Sequence, residues 1–353
     1  ASLICIAGEN GAGKTNLLEA ISLLAPGRGL RGARMAELGR QEEGAGLPWA
    51  AAGRFETRAG PMEIGTGTDP EGATERRIYR LDGQALRSQA MLAERMAAVW
   101  ITPQMDRLFQ EGASGRRRFL DRLVWALEPG HAREMAAHDN AMAERNRLLA
   151  EGRADPAWLA GLEDAMARHA VAVAAARRAL MLRLNAELAA GRATGAFPAA
   201  RLDITCSITA GLAETPALAV EDTLRQGLAA DRRRDAAAGG AARGAHKADL
   251  SLIHKPKGIS AEFCSTGEQK ALLVSVVLAH AALIAEARGF APLLLLDEVA
   301  AHLDPARREA LFAALAALPA QVFMTGTDAE VFAPLAGIGQ VFGAGDGRLF
   351  ALR

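Results

Sequence analysis

An α/β fold, interrupted by an antiparallel β meander and an inserted α-helical lobe, is predicted by three observations. The chain begins with an apolar strand that runs into a glycine-rich turn and then a helix. Its last third alternates strand and helix, and one of those strands ends in two adjacent acids. Between these α/β parts lies a β-patterned stretch followed by a long helical one.

The opening run, Ser2 to Ala7, is apolar and ends at a glycine, which reads as a buried strand. It starts at once and without an initiator Met, so further strands of the native protein are expected upstream. From Thr15 to Leu24, apolar Leu17, Leu18, Ile21 and Leu24 recur at the spacing of one helix face. Trp49 to Phe55, Met62 to Thr66 and Arg76 to Leu81 are short β-type segments, separated by the turn signal Asp69-Pro70-Glu71-Gly72 and closed by Asp82-Gly83. Ser114 to Ala190 is helical in pattern, with Leu180, Leu184 and Leu188 four apart. Asp155-Pro156 breaks it into an antiparallel pair. No heptad is held long enough for a coiled coil. Leu202 to Ile208 alternates as a strand, and Glu221 to Ala238 reads as a helix. The helix Gln269 to Ala287, the strand Leu293 to Leu296, the helix Pro305 to Leu318 and the strand Gln321 to Thr325 complete the chain. The expected division is a head part over residues 1–105, a mainly helical lobe over 106–242, and the rest of the head over 243–353.

With 353 residues, 50% of them apolar, the chain can bury a large core. Net charge is zero, so contact with nucleic acid must come from local basic patches. Cys5, Cys206 and Cys264 are far apart and form no CxxC pair, which suits a reducing cytoplasm and neither a zinc site nor a disulfide framework. Apolar runs are broken before membrane-spanning length, so no membrane partner is expected. Lysine occurs only five times in an arginine-rich chain. Arg116 to Arg118 and Arg232 to Arg234 therefore read either as phosphate contacts or as solvated helix faces.

Gly8-Glu9-Asn10-Gly11-Ala12-Gly13-Lys14-Thr15 fits GxxxxGK[ST] between a predicted strand and a predicted helix, the context of a P-loop, and Asn16 follows it. Glycines let the backbone curl its N–H groups around phosphates at a helix N-terminus. Lys14 is expected to reach the β- and γ-phosphates of ATP, and the Thr15 hydroxyl to hold Mg²⁺. Leu293 to Leu296 then delivers Asp297 for Mg²⁺ and Glu298 to polarise the attacking water. Phosphoryl transfer asks mainly for positioning and charge neutralisation, which this set supplies.

Ser265-Thr266-Gly267-Glu268-Gln269-Lys270 opens a long apolar helix before the acidic strand. By itself it is an N-cap; in its position it matches the signature motif of the ABC ATPases. Asp304 follows Glu298 at the interval of the D-loop in Ala301-His302-Leu303-Asp304, and with Pro305 it also reads as the cap of the next helix. Gln104, after Ile101-Thr102-Pro103, is a candidate Q-loop residue at the metal or its water. Thr325-Gly326-Thr327-Asp328 stands where ABC transporters carry a switch histidine, and no histidine is there.

Further stretches narrow the resemblance. Asn16 to Ile21, Gly27 to Arg31, Arg116 to Asp121, Glu144 to Leu149 and Cys264 to Lys270 together resemble the RecF family, of the ABC/SMC-like ATPase superfamily, along nearly the whole chain. Gly244 to Leu250 departs from the family pattern, which usually has proline, arginine and a second acid at Ala245, Lys247 and Ala248. The resemblance implies an ABC-type P-loop ATPase head, slow DNA-stimulated hydrolysis, and an ATP-dependent homodimer in which one subunit's signature caps the other's γ-phosphate. It also implies binding without sequence preference to junctions of duplex and single-stranded DNA, with RecO and RecR, to help load RecA in recombinational repair. A transporter ATPase subunit would show the switch histidine. A chromosome-organising SMC-like protein would need a far longer helical insert.

Overall fold

The strand Leu3–Ala7 lies inside a six-stranded sheet ordered Arg348–Ala351, Gly339–Gly345, Leu3–Ala7, Val322–Gly326, Leu293–Leu296, Ala98–Ile101. This is a computed structural model, describing residues 2–42, 45–69, 77–152, 155–191, 194–300, 303–345 and 347–352. Of its five pairings four run parallel, and the one at the edge strand Arg348–Ala351 is antiparallel. Parallel strands are covered on both faces, which is why Leu293–Leu296 and Ala98–Ile101 are apolar and buried throughout. Common direction gathers the carboxyl ends of four strands, after Ala7, Ile101, Leu296 and Gly326, at one edge, where α/β sheets bind ligands.

The expected meander forms as Ala50–Thr57, Gly60–Thr68, Arg77–Leu81 and Gln84–Ala85, paired antiparallel in that order. Asp82 and Gly83, at φ 50° and 79°, make the tight turn of its last hairpin. Arg76 and most of the predicted turn, Pro70 to Gly72, lie outside the described residues.

Two compact units result. One comprises residues 1–105, 195–197 and 281–353, the other 106–194 and 198–280. The boundary expected at 243 thus moves to 280, because Asp249–His254 pairs along its whole length with Ala200–Thr205. Ser265 to Lys270 accordingly belongs to the second unit.

In that second unit, His131–Glu151 and Pro156–Ala190 form the expected helix pair beside Ala113–Leu127. Asp155 caps the longest helix by accepting from the Ala157 N–H at 2.8 Å. Two boundaries differ from the sequence reading. The strand after Leu202 stops at Thr205, and Ser207–Glu214 is helical. The helix read as Glu221 to Ala238 is two, Ala217–Ala230 and Arg232–Ala238, broken at Asp231.

The break at Asp231 brings distant groups onto one guanidinium. Arg145, wholly buried, donates to Glu163 Oε1 at 3.0 Å, Asp235 Oδ2 at 2.9 Å and Leu228 O at 2.7 Å. Arg232 adds two bonds to Glu163, at 2.8 and 2.6 Å. A second buried knot joins Asp121 to Arg177 through bonds of 2.7 and 2.8 Å and to His131 at 3.0 Å. Burial pushes the Asp121 carboxyl up, but the bonds from His131 and Arg177 outweigh it and leave Asp121 below the usual carboxylate range. Both knots use residues from the stretches that resemble the RecF family, and their work is to hold the lobe together.

The helix Thr266–Arg288 is long and apolar enough to cross a membrane, yet 78% of its most apolar window is buried inside the protein.

Candidate functional site

The loop from Gly8 to Gly13 turns tightly because its glycines permit what other residues resist. Gly11 and Gly13 take φ 87° and 89°, and a Cβ on Gly8 would lie 2.4 Å from Ala344 O. The helix Lys14–Leu23 then begins with no side-chain cap, so its first N–H groups are available to an anion. Glu9, Asn10 and Asn16 are exposed around it, and the Ala12 N–H bonds back to Glu9 O at 3.2 Å. Lys14 is buried; its ammonium donates to Gly8 O at 2.6 Å and Glu9 O at 2.9 Å, which lays it along the loop.

Asp297 meets this loop from the end of Leu293–Leu296, which Val322–Gly326 separates from Leu3–Ala7 in the sheet. The Thr15 hydroxyl lies 3.2 and 3.1 Å from its two carboxylate oxygens. Asp297 is 3% exposed, and the Thr325 hydroxyl donates to its Oδ1 at 2.6 Å. The same Thr325 oxygen accepts from the Glu298 N–H at 3.0 Å. One buried hydroxyl therefore sets both acids. Glu298 has φ 53°, and with Asp82 it is one of two non-glycine residues with positive φ among those described. Such a conformation costs on the order of 1–3 kcal/mol and gathers at functional sites.

Lys14, Thr15, Asp297 and Glu298 are thus brought to one edge of the sheet. Gln104 stands at that edge too, exposed, three residues beyond Ile101, whose carbonyl accepts from the Asp297 N–H at 2.9 Å. It makes no hydrogen bond among the described residues. Asp304 caps the helix Pro305–Ala317 by accepting from the Arg307 N–H at 2.9 Å. Ala301 and His302 of the predicted D-loop lie outside the described residues.

Ser265, Thr266, Gly267 and Glu268 start the long helix of the second unit, with Ser265 and Thr266 exposed. Glu268 Oε2 accepts from both the Ser265 N–H and its hydroxyl, at 3.0 Å each, while Lys257 pairs with Glu268 Oε1 at 2.5 Å. The Lys257 ammonium, then the Ser265 N–H and hydroxyl, lower the Glu268 carboxyl to about 2.

Two contributors escaped the sequence reading. Thr325 was noted only for not being a histidine. Arg77, on the meander, donates to Leu23 O, to Gly27 O at 2.6 Å and to Thr66 Oγ1 at 2.8 Å, and lies 4.4 Å over the Tyr79 ring. It caps the end of the P-loop helix. Nothing local marks either residue, since their side-chain hydrogen-bond partners lie at least 11 positions away.

The basic clusters divide. Arg116 is committed to Asp249 through two bonds of 2.8 Å, and Arg232 to Glu163. Arg118 and Arg233 are exposed and lack a partner among the described residues.

The RecF/RecN/SMC N terminal domain family matches residues 1–346. The chain is 46% identical over 346 residues to the DNA replication and repair protein RecF of Allorhizobium ampelinum, covering 98% of this chain and 92% of that one. To the protein of the same name from Mesorhizobium japonicum it is 48% identical over 338 residues, covering 96% and 88%. The chain belongs to the RecF family. Its fold is similar to the structure of the recombination mediator protein RecF-ATPrS in the RecFOR pathway, with TM-score 0.85 at 22% identity, covering 100% of this chain and 92% of that chain. An Smc head domain from Pyrococcus furiosus, bound to the C-terminal domain of ScpA, is a more distant likeness, with TM-score 0.51 at 16% identity over 99% and 89% of the two chains. The fold is therefore that of an ABC-type ATPase head with a meander and an inserted helical lobe.

Proposed function

We propose that this chain is a DNA-repair ATPase of RecF type that converts ATP binding into dimerisation on DNA. The observation that carries this is the meeting of the P-loop with the two acids at one sheet edge, where the Asp297 carboxylate accepts from the Thr15 and Thr325 hydroxyls and the Thr325 oxygen accepts from the Glu298 N–H. Lys14 and the N–H groups of the P-loop would take the β- and γ-phosphates. The Thr15 hydroxyl and the Asp297 carboxylate, 3.1 Å apart, fit Mg²⁺, which binds few protein oxygens and keeps waters, and Gln104 is a candidate to hold one of those waters. When bound, the metal neutralises phosphate charge. Glu298 orients the attacking water, and its carboxylate accepts that water's proton as the oxygen attacks.

Ser265 is exposed at a helix start, so its hydroxyl and N–H can serve a γ-phosphate held by a second copy of the chain, with Asp304 along the seam. Glu268 holds both of those donors and would have to release them. Hydrolysis is slow, DNA-stimulated and coupled to dimer release. The DNA is a junction of duplex and single strand, RecO and RecR are the partners in RecA loading, and the compartment is the cytoplasm. These follow from the resemblance to the RecF family, and Arg118 and Arg233 are exposed arginines of the two clusters available for phosphate contacts.

Multi-angle light scattering tests the reading. ATP should double the mass of the wild type, and Lys14→Arg should remain monomeric. A Lys14→Arg chain that dimerises normally with ATP would overturn the P-loop assignment.

A further inference from the structure

The helical unit contains a pocket of about 210 Å³ that the nucleotide chemistry leaves unused; Ser114, Arg117, Arg118, His138, Arg177 and His246 line it. Two imidazoles carry the argument. His138 is 2% exposed, and its Nδ1 lies 3.1 Å from Asp139 Oδ1. A carboxylate accepts, so Nδ1 bears the hydrogen and Nε2 keeps a lone pair, with no partner. His246 Nε2 lies 2.9 Å from Ala241 O, so there the hydrogen is on Nε2 and the partnerless nitrogen is Nδ1. The rings are 5.7 Å apart. Their open nitrogens converge: a Cβ on Gly244 would lie 2.7 Å from His246 Nδ1 and 3.1 Å from His138 Nε2. Buried polar atoms are rarely left without partners, and two at one spot point to a ligand.

The surrounding charge decides which ligand. From the helix Ala113–Leu127 come Arg117, which donates one bond to Ala248 O at 2.9 Å, Arg118 at the exposed rim, and Asp121. From His131–Glu151 come His131, bound to Asp121, and Asp139. Arg177 comes from Pro156–Ala190 and is spent on Asp121, and Lys247 flanks His246. Guanidinium and ammonium groups outnumber carboxylates, and no group of three or more metal-binding side chains exists among the described residues. An anion fits and a cation does not.

We propose that this pocket binds a phosphate group, held by Arg117 and Arg118 and by the His138–His246 pair, which takes up a proton as the anion enters. A tetrahedral oxyanion can use this many donors, whereas a carboxylate offers only two oxygens. One wall is the segment that departs from the family pattern at Ala245, Lys247 and Ala248. Burial first, with the charges of Lys247 and Arg117 adding to it, holds His246 below the ordinary imidazole range, so that ring is neutral near pH 7 in the free pocket. Binding therefore strengthens as pH falls. The group could be a DNA backbone phosphate, which rests on the DNA reading above, or free phosphate, which does not.

The test uses the full chain with sulfate and inorganic phosphate as probes, followed by the imidazole ¹⁵N resonances of His138 and His246, which report this pocket and not the P-loop. Sulfate keeps its charge between pH 6 and pH 8, so any pH dependence of its binding belongs to the protein. It should bind roughly tenfold tighter at the lower pH and roughly tenfold more weakly to Arg118→Ala. Arg58→Ala, at an exposed arginine on the meander, should leave sulfate affinity unchanged, and His138→Gln should flatten the pH dependence. Unmoved imidazole resonances, or affinity indifferent to Arg118→Ala, would overturn the proposal even where ADP still binds. Displacement of the probe by a short duplex identifies the DNA backbone as the source; retention identifies free phosphate. An acidic peptide that displaces it better than either would overturn the phosphate assignment.

Discussion

Thr325→Val removes one oxygen and keeps the shape of the side chain. That oxygen donates to Asp297 at 2.6 Å and accepts from the Glu298 N–H at 3.0 Å, at a position with no solvent exposure. A hydrogen bond to a charged group contributes about 1.5–3 kcal/mol, and a buried donor left without its acceptor costs about 1–3 kcal/mol. The two losses share one site and do not add fully, so about 2–4 kcal/mol of stability should go, a large part of the roughly 5–15 kcal/mol that holds a domain. Turnover should fall further than binding, because Asp297 and Glu298 both lose their reference point. A loss of about 1.4–2.8 kcal/mol from the transition state is a drop of roughly ten- to a hundredfold in kcat. The assay pairs urea unfolding with steady-state ATP hydrolysis and a separate measurement of ATP affinity. Thr325→Ser keeps the hydroxyl and should stay within about 1 kcal/mol of wild type, the cost of one buried methyl. A valine variant with wild-type urea midpoint and wild-type kcat would refute the argument that this hydroxyl sets the two acids.

Other outcomes follow from the same geometry. Glu298→Gln should trap the ATP-bound dimer on a sizing column, and rapid turnover by that variant would assign the water to another group. Arg145→Met leaves Asp235 buried without its cation and Glu163 with Arg232 alone, so it should cost about 3–5 kcal/mol in thermal or urea unfolding, against almost nothing for exposed Arg147→Met. Glu268 should titrate by carboxyl ¹³C NMR near 2 instead of its ordinary 4.5. Its folded pKa is depressed, so the cap it makes with Ser265 contributes in full above pH 4.5 and is lost as pH falls toward 2. Titration near 4.5 would mean that Lys257 and Ser265 do not hold it.

How much of this was legible in the sequence differs residue by residue. The P-loop was readable because its demands are local: positive φ at Gly11 and Gly13, a lysine, a hydroxyl, and an apolar strand and a helix on either side. Asp297 and Glu298 were readable because a strand buried on both faces is an unbroken apolar run, and its end is conspicuous. The meander and the helix pair declared themselves by period. The strands Ala98–Ile101 and Gly339–Gly345 did not, since four apolar residues, or seven with three glycines, carry no period of their own. Arg116 and Arg232 looked the same in sequence as Arg118 and Arg233, and only their carboxylate partners tell them apart.

The sequence alone determined which groups gather as the candidate phosphate site, because backbone curl, helix start and strand end are written within a few neighbouring residues. Tertiary structure decided what aims them. Thr325 reaches Asp297 across 28 positions, Arg77 reaches Leu23 across 54, and Asp249–His254 joins Ala200–Thr205 to carry the signature serine into the helical unit. Such contacts depend on strand order and on burial that strips water from charges, and neither leaves a mark in the spacing of neighbours along the chain.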